Sequence, residues 1–255
     1  MSATRVGGLL CRALDSFERV LGREHPGTLT SARSLAQCLD ALGRPAEAEA
    51  LHRRALEGLI ARVGPEHPDV LTSQKNLAVS LRKAGHPDLA EPYARQCVDA
   101  SARVLGDANP LAAHRRNNLV ITLLMLRHTA EARSLLAANW TSPCPQRTPV
   151  TQAIAFLAAM AAMMDGADAT DPLGRLKTLL LGPNLEKAPG VGYPWDAGYL
   201  LDYLRDALSL DSIDFLRAAL AAINDPDLAP DLDRFPLWHD TPALPLNTPW
   251  PTTPV

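Results

Sequence analysis

Seven histidines and four cysteines are the residues of this 255-residue chain with which to begin a search for chemistry. Glu49-x-x-His52 puts a carboxylate and an imidazole on one helix face, one half of a carboxylate-bridged metal motif. The other half is missing, because the equivalent place 42 residues on reads Glu91-x-x-Ala94. His25 and His67 each precede a proline, where capping a helix explains them better than ligation, and Asn109 stands at the third such place. Cys11, Cys38, Cys97 and Cys144 lie far apart and match no zinc spacing, so reduced thiols are expected. Nowhere does the sequence show a Gly-x-Ser-x-Gly elbow, a phosphate-binding glycine loop, His-Glu-x-x-His or a Cys–His pair. The most motif-like stretch is "GVGYPWDAGY" at 190–199, whose Gly190 and Gly192 could approach a ligand; a turn before a helix is the simpler reading. An enzyme site within 150–240 would have to use residues such as Asp196 and Tyr199. The expectation is no catalytic residues, no metal, no cofactor and no enzyme.

Composition narrows the classes further. The chain is 47% hydrophobic, 21% charged and 5% aromatic, rich in Ala and Leu, which favours helices around a substantial core. A net charge of -3 supplies no field for nucleic acid. That total hides an asymmetry: residues 1–140 hold 18 Lys/Arg against 14 Asp/Glu, and residues 141–255 hold 7 against 14. A basic first half facing acidic partners, or its own acidic second half, follows from that division. The longest apolar run, 153–164, is too short to cross a bilayer, and the first twenty residues lack a signal-peptide core. A soluble cytoplasmic protein with no membrane partner is expected, so the Asn139-Trp140-Thr141 sequon carries no meaning.

The elements that would position any site announce themselves by repetition. "LGREHPGTLTS" at 21–31 returns as "VGPEHPDVLTS" at 63–73 and, fainter, as "LGDANPLAAHR" at 105–115. Pro26, Pro68 and Pro110 suit the first position of a helix, where a missing N–H costs nothing. Gly22, Gly64 and Gly106 suit the left-handed end of the helix before. Further breaks at Gly43, Gly85 and Arg127 divide each period into two helices, at about 27–42, 69–84 and 111–126, then 45–62, 87–104 and 129–139. Leu35, Leu77 and Leu119, then Ala48, Ala90 and Ala132, fall in register, so helices pack closely within and between pairs.

"SLAQCLDALGRPAEAEALHRRAL" and "NLAVSLRKAGHPDLAEPYARQCV" resemble tetratricopeptide (TPR) repeats, in the 42-residue form of the kinesin light chain and its bacterial relatives. The likeness covers about 9–139. The third copy departs, with Val120, Arg127 and Asn109 in place of the Ala, Gly and His. The resemblance implies an all-α fold: a TPR α-α superhelix (solenoid) followed by a small helical C-terminal region. Within it, 3–22 is a half repeat, a second helix without its first, which would leave Leu10, Leu14 and Phe17 exposed. Three repeats follow, completing an array over 1–140. A Pro-rich linker occupies 141–150, and a helical region of unassigned family 151–240. There an all-round apolar helix is expected over 151–165, others near 173–181, 195–208 and 211–223, the last capped by Asp211. Residues 241–255, with five prolines, read as a disordered tail.

Such arrays resemble a groove lined by first helices, and the resemblance implies a non-enzymatic scaffold that binds a peptide of a partner there. With Leu35 and Leu77 inward, the opposite face carries Thr30, Arg33, Ser34, Gln37 and Asp40, then Thr72, Lys75, Asn76, Val79, Arg82 and Lys83, then His114, Asn117, Asn118, Ile121 and Met125. The binding set is Arg33, Ser34, Gln37, Lys75, Asn76, Val79, Arg82, Asn117, Asn118 and Ile121. Asn amides can pair with peptide N–H and C=O, and the cations suit an acidic partner. Two Trp-acid segments, 235–240 and 194–199, make the acidic C-terminal half a candidate occupant of the groove. Alternatives are a regulatory or sensor arm of a larger signalling protein, acting by intramolecular contact, and the enzyme with its site in 150–240.

Overall fold

The computed structural model describes residues 3–107, 109–141, 149–181, 198–224 and 226–244. All regular elements among these are helical. They fall into two compact units, Met1–Gly106 and Asp107–Val255. The segments 142–148, 182–197 and 245–255 lie outside the described residues, and with them Cys144, most of "GVGYPWDAGY" and most of the proline-rich tail.

The first unit holds α1 (Ala3–Leu21), α2 (Pro26–Ala41), α3 (Pro45–Val63), α4 (Pro68–Lys83) and α5 (Pro87–Leu105), each packed on the next. The starts of α2 and α4 and the stops that end them have local causes. His25 and His67 accept the backbone N–H of Gly27 and Asp69 through Nδ1 at 3.1 and 3.2 Å, and a proline opens each helix behind them. Gly43 and Gly85 take φ of 72° and 85°, which lets the N–H of Arg44 and His86 reach back to Leu39 and Leu81 at 2.9 Å. That double-bonded stop satisfies carbonyls the helix end would orphan.

Between the helices, Ala32, Leu35, Ala36, Leu39, Ala48 and Leu14 form one buried cluster, with Leu10 and Leu51 partly buried beside it. The expected exposure of α1 is therefore corrected for Leu10 and Leu14, which α2 covers. It stands for Phe17, which is 40% exposed.

The second unit holds α6 (Pro110–Met125), α7 (Thr129–Thr141), α8 (Pro149–Met164), α9 (Thr170–Leu181), α10 (Gly198–Tyr203), α11 (Leu210–Asn224) and a final turn, α12 (Pro236–His239). At α6 the cap is Asn109, whose Oδ1 accepts from Leu111 N at 2.8 Å, and the stop is Arg127 at φ 64°, a non-glycine in the left-handed region.

Helix α8 repeats this geometry unexpectedly. It opens on a proline and runs 16 residues like α2, α4 and α6. It stops at Gly166 (φ 64°), with the N–H of Ala167 on Ala162 O at 2.9 Å. Pro149 and Gly166 are separated as Pro26 and Gly43 are, so α8 and α9 form a fourth pair of the same design. Residues 152–162 are all buried, as an all-round apolar helix requires, and α8 packs against α6, α7, α9 and α11.

Two local expectations are corrected here. Asp211 lies inside α11; the cap is Ser209, whose Oγ accepts from Ser212 N at 3.1 Å and leaves the carboxylate free to sit in the first turn. Residues 241–244, assigned to the tail on composition, lie against α9. Leu244 N donates to Gly174 O at 3.1 Å, and Thr178 Oγ1 donates to Leu244 O at 2.6 Å. Gly174 permits that approach, since a Cβ there would sit 2.6 Å from Pro242 O.

Candidate interaction face

The chemistry-bearing residues resolve first into structural roles. His52 is fully buried, and its Nε2 lies 2.9 Å from Asp40 Oδ2. Asp40 Oδ1 accepts from Ser80 Oγ at 2.7 Å, and Ser80 also contacts Pro45 O at 3.3 Å. The carboxylate stands between serine and imidazole, so the histidine has no contact through which to activate the hydroxyl. This polar knot ties α2, α3 and α4 together, and it takes Asp40 out of the expected open set. Glu49 turns the other way, accepting Arg53 Nε at 2.8 Å, so Glu49 and His52 do not converge on a cation site. Among the described residues no cluster of His, Cys, Asp or Glu could hold a metal ion.

In the first unit α2 and α4 are neighbours; of the expected set, Arg33, Ser34, Gln37, Lys75 and Val79 stay at least partly open, and the expectation is corrected for Asn76 and Arg82, which are buried. On α2, Gln37 is exposed, Arg33 and Ser34 are half-buried, and Ser34 Oγ donates to Thr30 O at 3.0 Å. Arg33 reaches Asp69 at 3.9 Å, a loose pair at the start of α4. On α4, Lys75 and Val79 are half-buried, while Asn76 and Arg82 are 6% and 2% exposed. Asn76 Nδ2 is buried and has no hydrogen-bond partner among the described residues. Ser73 Oγ and Gln74 Oε1 on the same helix are likewise buried without a partner among the described residues, and each such group costs on the order of 1–3 kcal/mol.

The third set of residues is placed differently, and the expectation of an open α6 face is corrected. Arg115 through Asn117 and Leu119 through Met125 are buried, because α7, α8 and α10 pack on α6. Asn117 is 4% exposed, and its Oδ1 accepts from Asn139 Nδ2 at 3.1 Å. Asn139 also accepts from Arg116 Nε, and Arg116 Nη1 and Nη2 hold Asp107. Ile121 is likewise buried, whereas Asn118 is half-buried with its amide on His114 O at 3.0 Å. Asn139, Asp107, Asp40 and Ser80 were missed as partners because each lies in a different element from the group it serves.

The segment 235–240, expected as a groove occupant, is built into the second unit. Trp238 is fully buried, 5.9 Å from Phe215, with Lys177 Nζ 5.5 Å from its ring centre. The same ammonium donates to Trp238 O at 2.8 Å and Thr241 O at 3.0 Å. A tryptophan anchored in its own core cannot serve as a ligand's anchor.

Family models of the tetratricopeptide repeat match residues 9–61 and 70–111. The matched segments are tetratricopeptide repeats. The matched segments run from α1 to α3 and from α4 to the start of α6. The fold is shared with kinesin light chain-type, nearly identical TPR-like repeats from Podosopora anserina: TM-score 0.56, 20% identity, covering 78% of this chain and 96% of that one. It is shared also with BtubC (BKLC) from P. vanneervenii, at TM-score 0.58 and 15% identity over 92% of each chain. No curated protein matches the chain. Tetratricopeptide repeats are protein–protein interaction scaffolds, which implies protein partners here. No described helix is long and apolar enough to cross a membrane.

Proposed function

We propose that the tetratricopeptide unit acts without catalysis, holding an extended segment of a partner protein against α2 and α4. The exposed Gln37 and the half-exposed Arg33, Ser34, Lys75 and Val79, carried by the neighbouring helices α2 and α4, support this reading. The exposed amide of Gln37 can pair with a peptide N–H or C=O. Arg33 and Lys75 stand half-exposed on the same face, so an acidic side chain on the peptide gains a charge-assisted contact. Val79 supplies apolar surface between them, and Gln37 and Ser34 complete a polar margin. Asn118, on α6, is left outside this set. No metal and no cofactor enter the mechanism, which is preorganised binding by rigid helices.

The test is selection of peptides from a displayed random library on the intact chain. Enriched sequences are expected to carry Asp or Glu. Arg33→Glu with Lys75→Glu should abolish that enrichment, and Gln37→Ala should weaken a selected peptide about tenfold, the equivalent of one hydrogen bond. Enrichment without acidic bias, or binding indifferent to all three changes, removes the proposal.

A further inference from the structure

The first helix described, α1, carries a second apolar face that no described helix covers. In α1, Val6, Ala13 and Val20 recur every seven residues, with Leu9 and Phe17 beside them on the same side. Leu9, Phe17 and Val20 are 51%, 40% and 74% exposed, while Leu14, on the side of the helix turned to α2, is buried. Arg5, Arg12 and Arg19 each immediately precede one of the heptad residues, forming a cationic row along one edge of the stripe. All three are exposed, and their guanidinium groups make no ion pair with any described residue.

The repeat itself says what belongs on such a face. The positions of α3 that correspond to Val6 and Ala13 are Ala48 and Ala55, both fully buried. Ala48 lies in the cluster with Ala32, Leu35, Ala36 and Leu39 of α2. In α5 they are Ala90 and Cys97, also buried, and Cys97 Sγ touches Leu71 O of α4 at 3.2 Å. In both complete pairs of the first unit these two positions are buried, while Arg62 and Val104, the equivalents of Val20, stay exposed at the helix end. In α1 no described helix covers this face.

We infer that the outer face of α1 is a docking surface for an amphipathic α-helix of a partner protein, one edge of which carries Asp or Glu at seven-residue spacing. The apolar stripe is the seam, and the arginine row lies where charges choose the partner in paired helices. A second copy of this chain fits poorly. Antiparallel pairing would set the arginine rows against each other, and parallel pairing would demand Leu10, which leans toward α2. The arginine row therefore calls for an acidic edge on the occupant.

The probe is a synthetic helical peptide of about three heptads carrying the Ala-x-x-Leu-Ala-x-x-Leu pattern of α2, with Glu along one edge; a second version has Lys in their place. Fluorescence anisotropy on the full chain should show the Glu peptide binding at least tenfold more tightly than the Lys peptide. Arg12→Glu with Arg19→Glu should reverse that order, and Val20→Asp should weaken the Glu peptide tenfold or more. Arg12→Lys with Arg19→Lys should keep most of the affinity, and circular dichroism should stay constant throughout. Arg33→Glu with Lys75→Glu should leave this peptide's affinity unchanged, which separates the surface from the α2–α4 face. Equal binding of both peptides, no binding, or loss with the α2–α4 variant overturns the inference. So does self-association, or adsorption to anionic lipid vesicles, that outcompetes the Glu peptide and disappears in Val20→Asp.

Discussion

At the level of single residues, the conformational demand of each stop outlasts the residue type that best meets it. Gly43 and Gly85 sit at positive φ without cost, and Arg127 holds φ 64° at the third equivalent place. A side chain in the left-handed region costs about 1 kcal/mol or more, so Arg127→Gly should stabilise the chain by about that amount in urea unfolding. Gly85→Ala should do the reverse. Asp168, before α9, supplies a pH-dependent case. The Thr170 hydroxyl, then its backbone N–H at 2.8 Å, holds the Asp168 carboxyl below its ordinary range. A lowered pKa means stability present above the ordinary carboxylate value and lost as the pH falls through the folded one. The melting-temperature gap between wild type and Asp168→Ala should therefore be constant near neutrality and narrow in acid. The same reasoning explains why His25, His67 and Asn109 were legible as caps: each acts on an N–H two residues away.

At the level of elements, packing overrides propensity, and two glycines in helix interiors separate the effects. Gly8 in α1 has nothing within 4 Å of a built Cβ, so Gly8→Ala should stabilise by about 1 kcal/mol through helix propensity. Gly58 in α3 is different, because a Cβ would lie 2.7 and 2.8 Å from the methyl groups of the fully buried Leu29. Gly58→Ala should destabilise, by about 1–3 kcal/mol, as overpacking outweighs the same propensity gain; thermal melts of both variants decide it. Elements also account for the fourth pair. Its markers, Pro149 and Gly166, stand in the sequence at the repeat's own separation. Pro149 follows Pro110 by 39 residues rather than 42, so the fourth pair falls out of the period that marks the others.

At the level of the whole molecule, contacts distant in sequence decide what is open and what is closed. Segment 241–244 lies on α9 only because residue 174 lacks a Cβ. Gly174→Ala should speed hydrogen exchange at the Leu244 amide by an order of magnitude or more and lower stability by about 1–3 kcal/mol. The sequence by itself determined the helices of residues 3–139, their order in pairs and the apolar faces between neighbours. It could do so because caps, left-handed stops and 3.6-residue periodicity act over one or two turns of chain. Tertiary structure alone decided which polar side chains remained available. Asn117 and Ile121 share the phase of Lys75 and Val79 along the repeat, yet they are buried, because α8 and α10 arrive from far along the chain to cover α6. Trp238 looked like an exposed anchor and is core, because Phe215 and Lys177 reach it from elements dozens of residues away. Burial is a sum over neighbours in space, and periodicity along one helix carries no information about what lands on its other side.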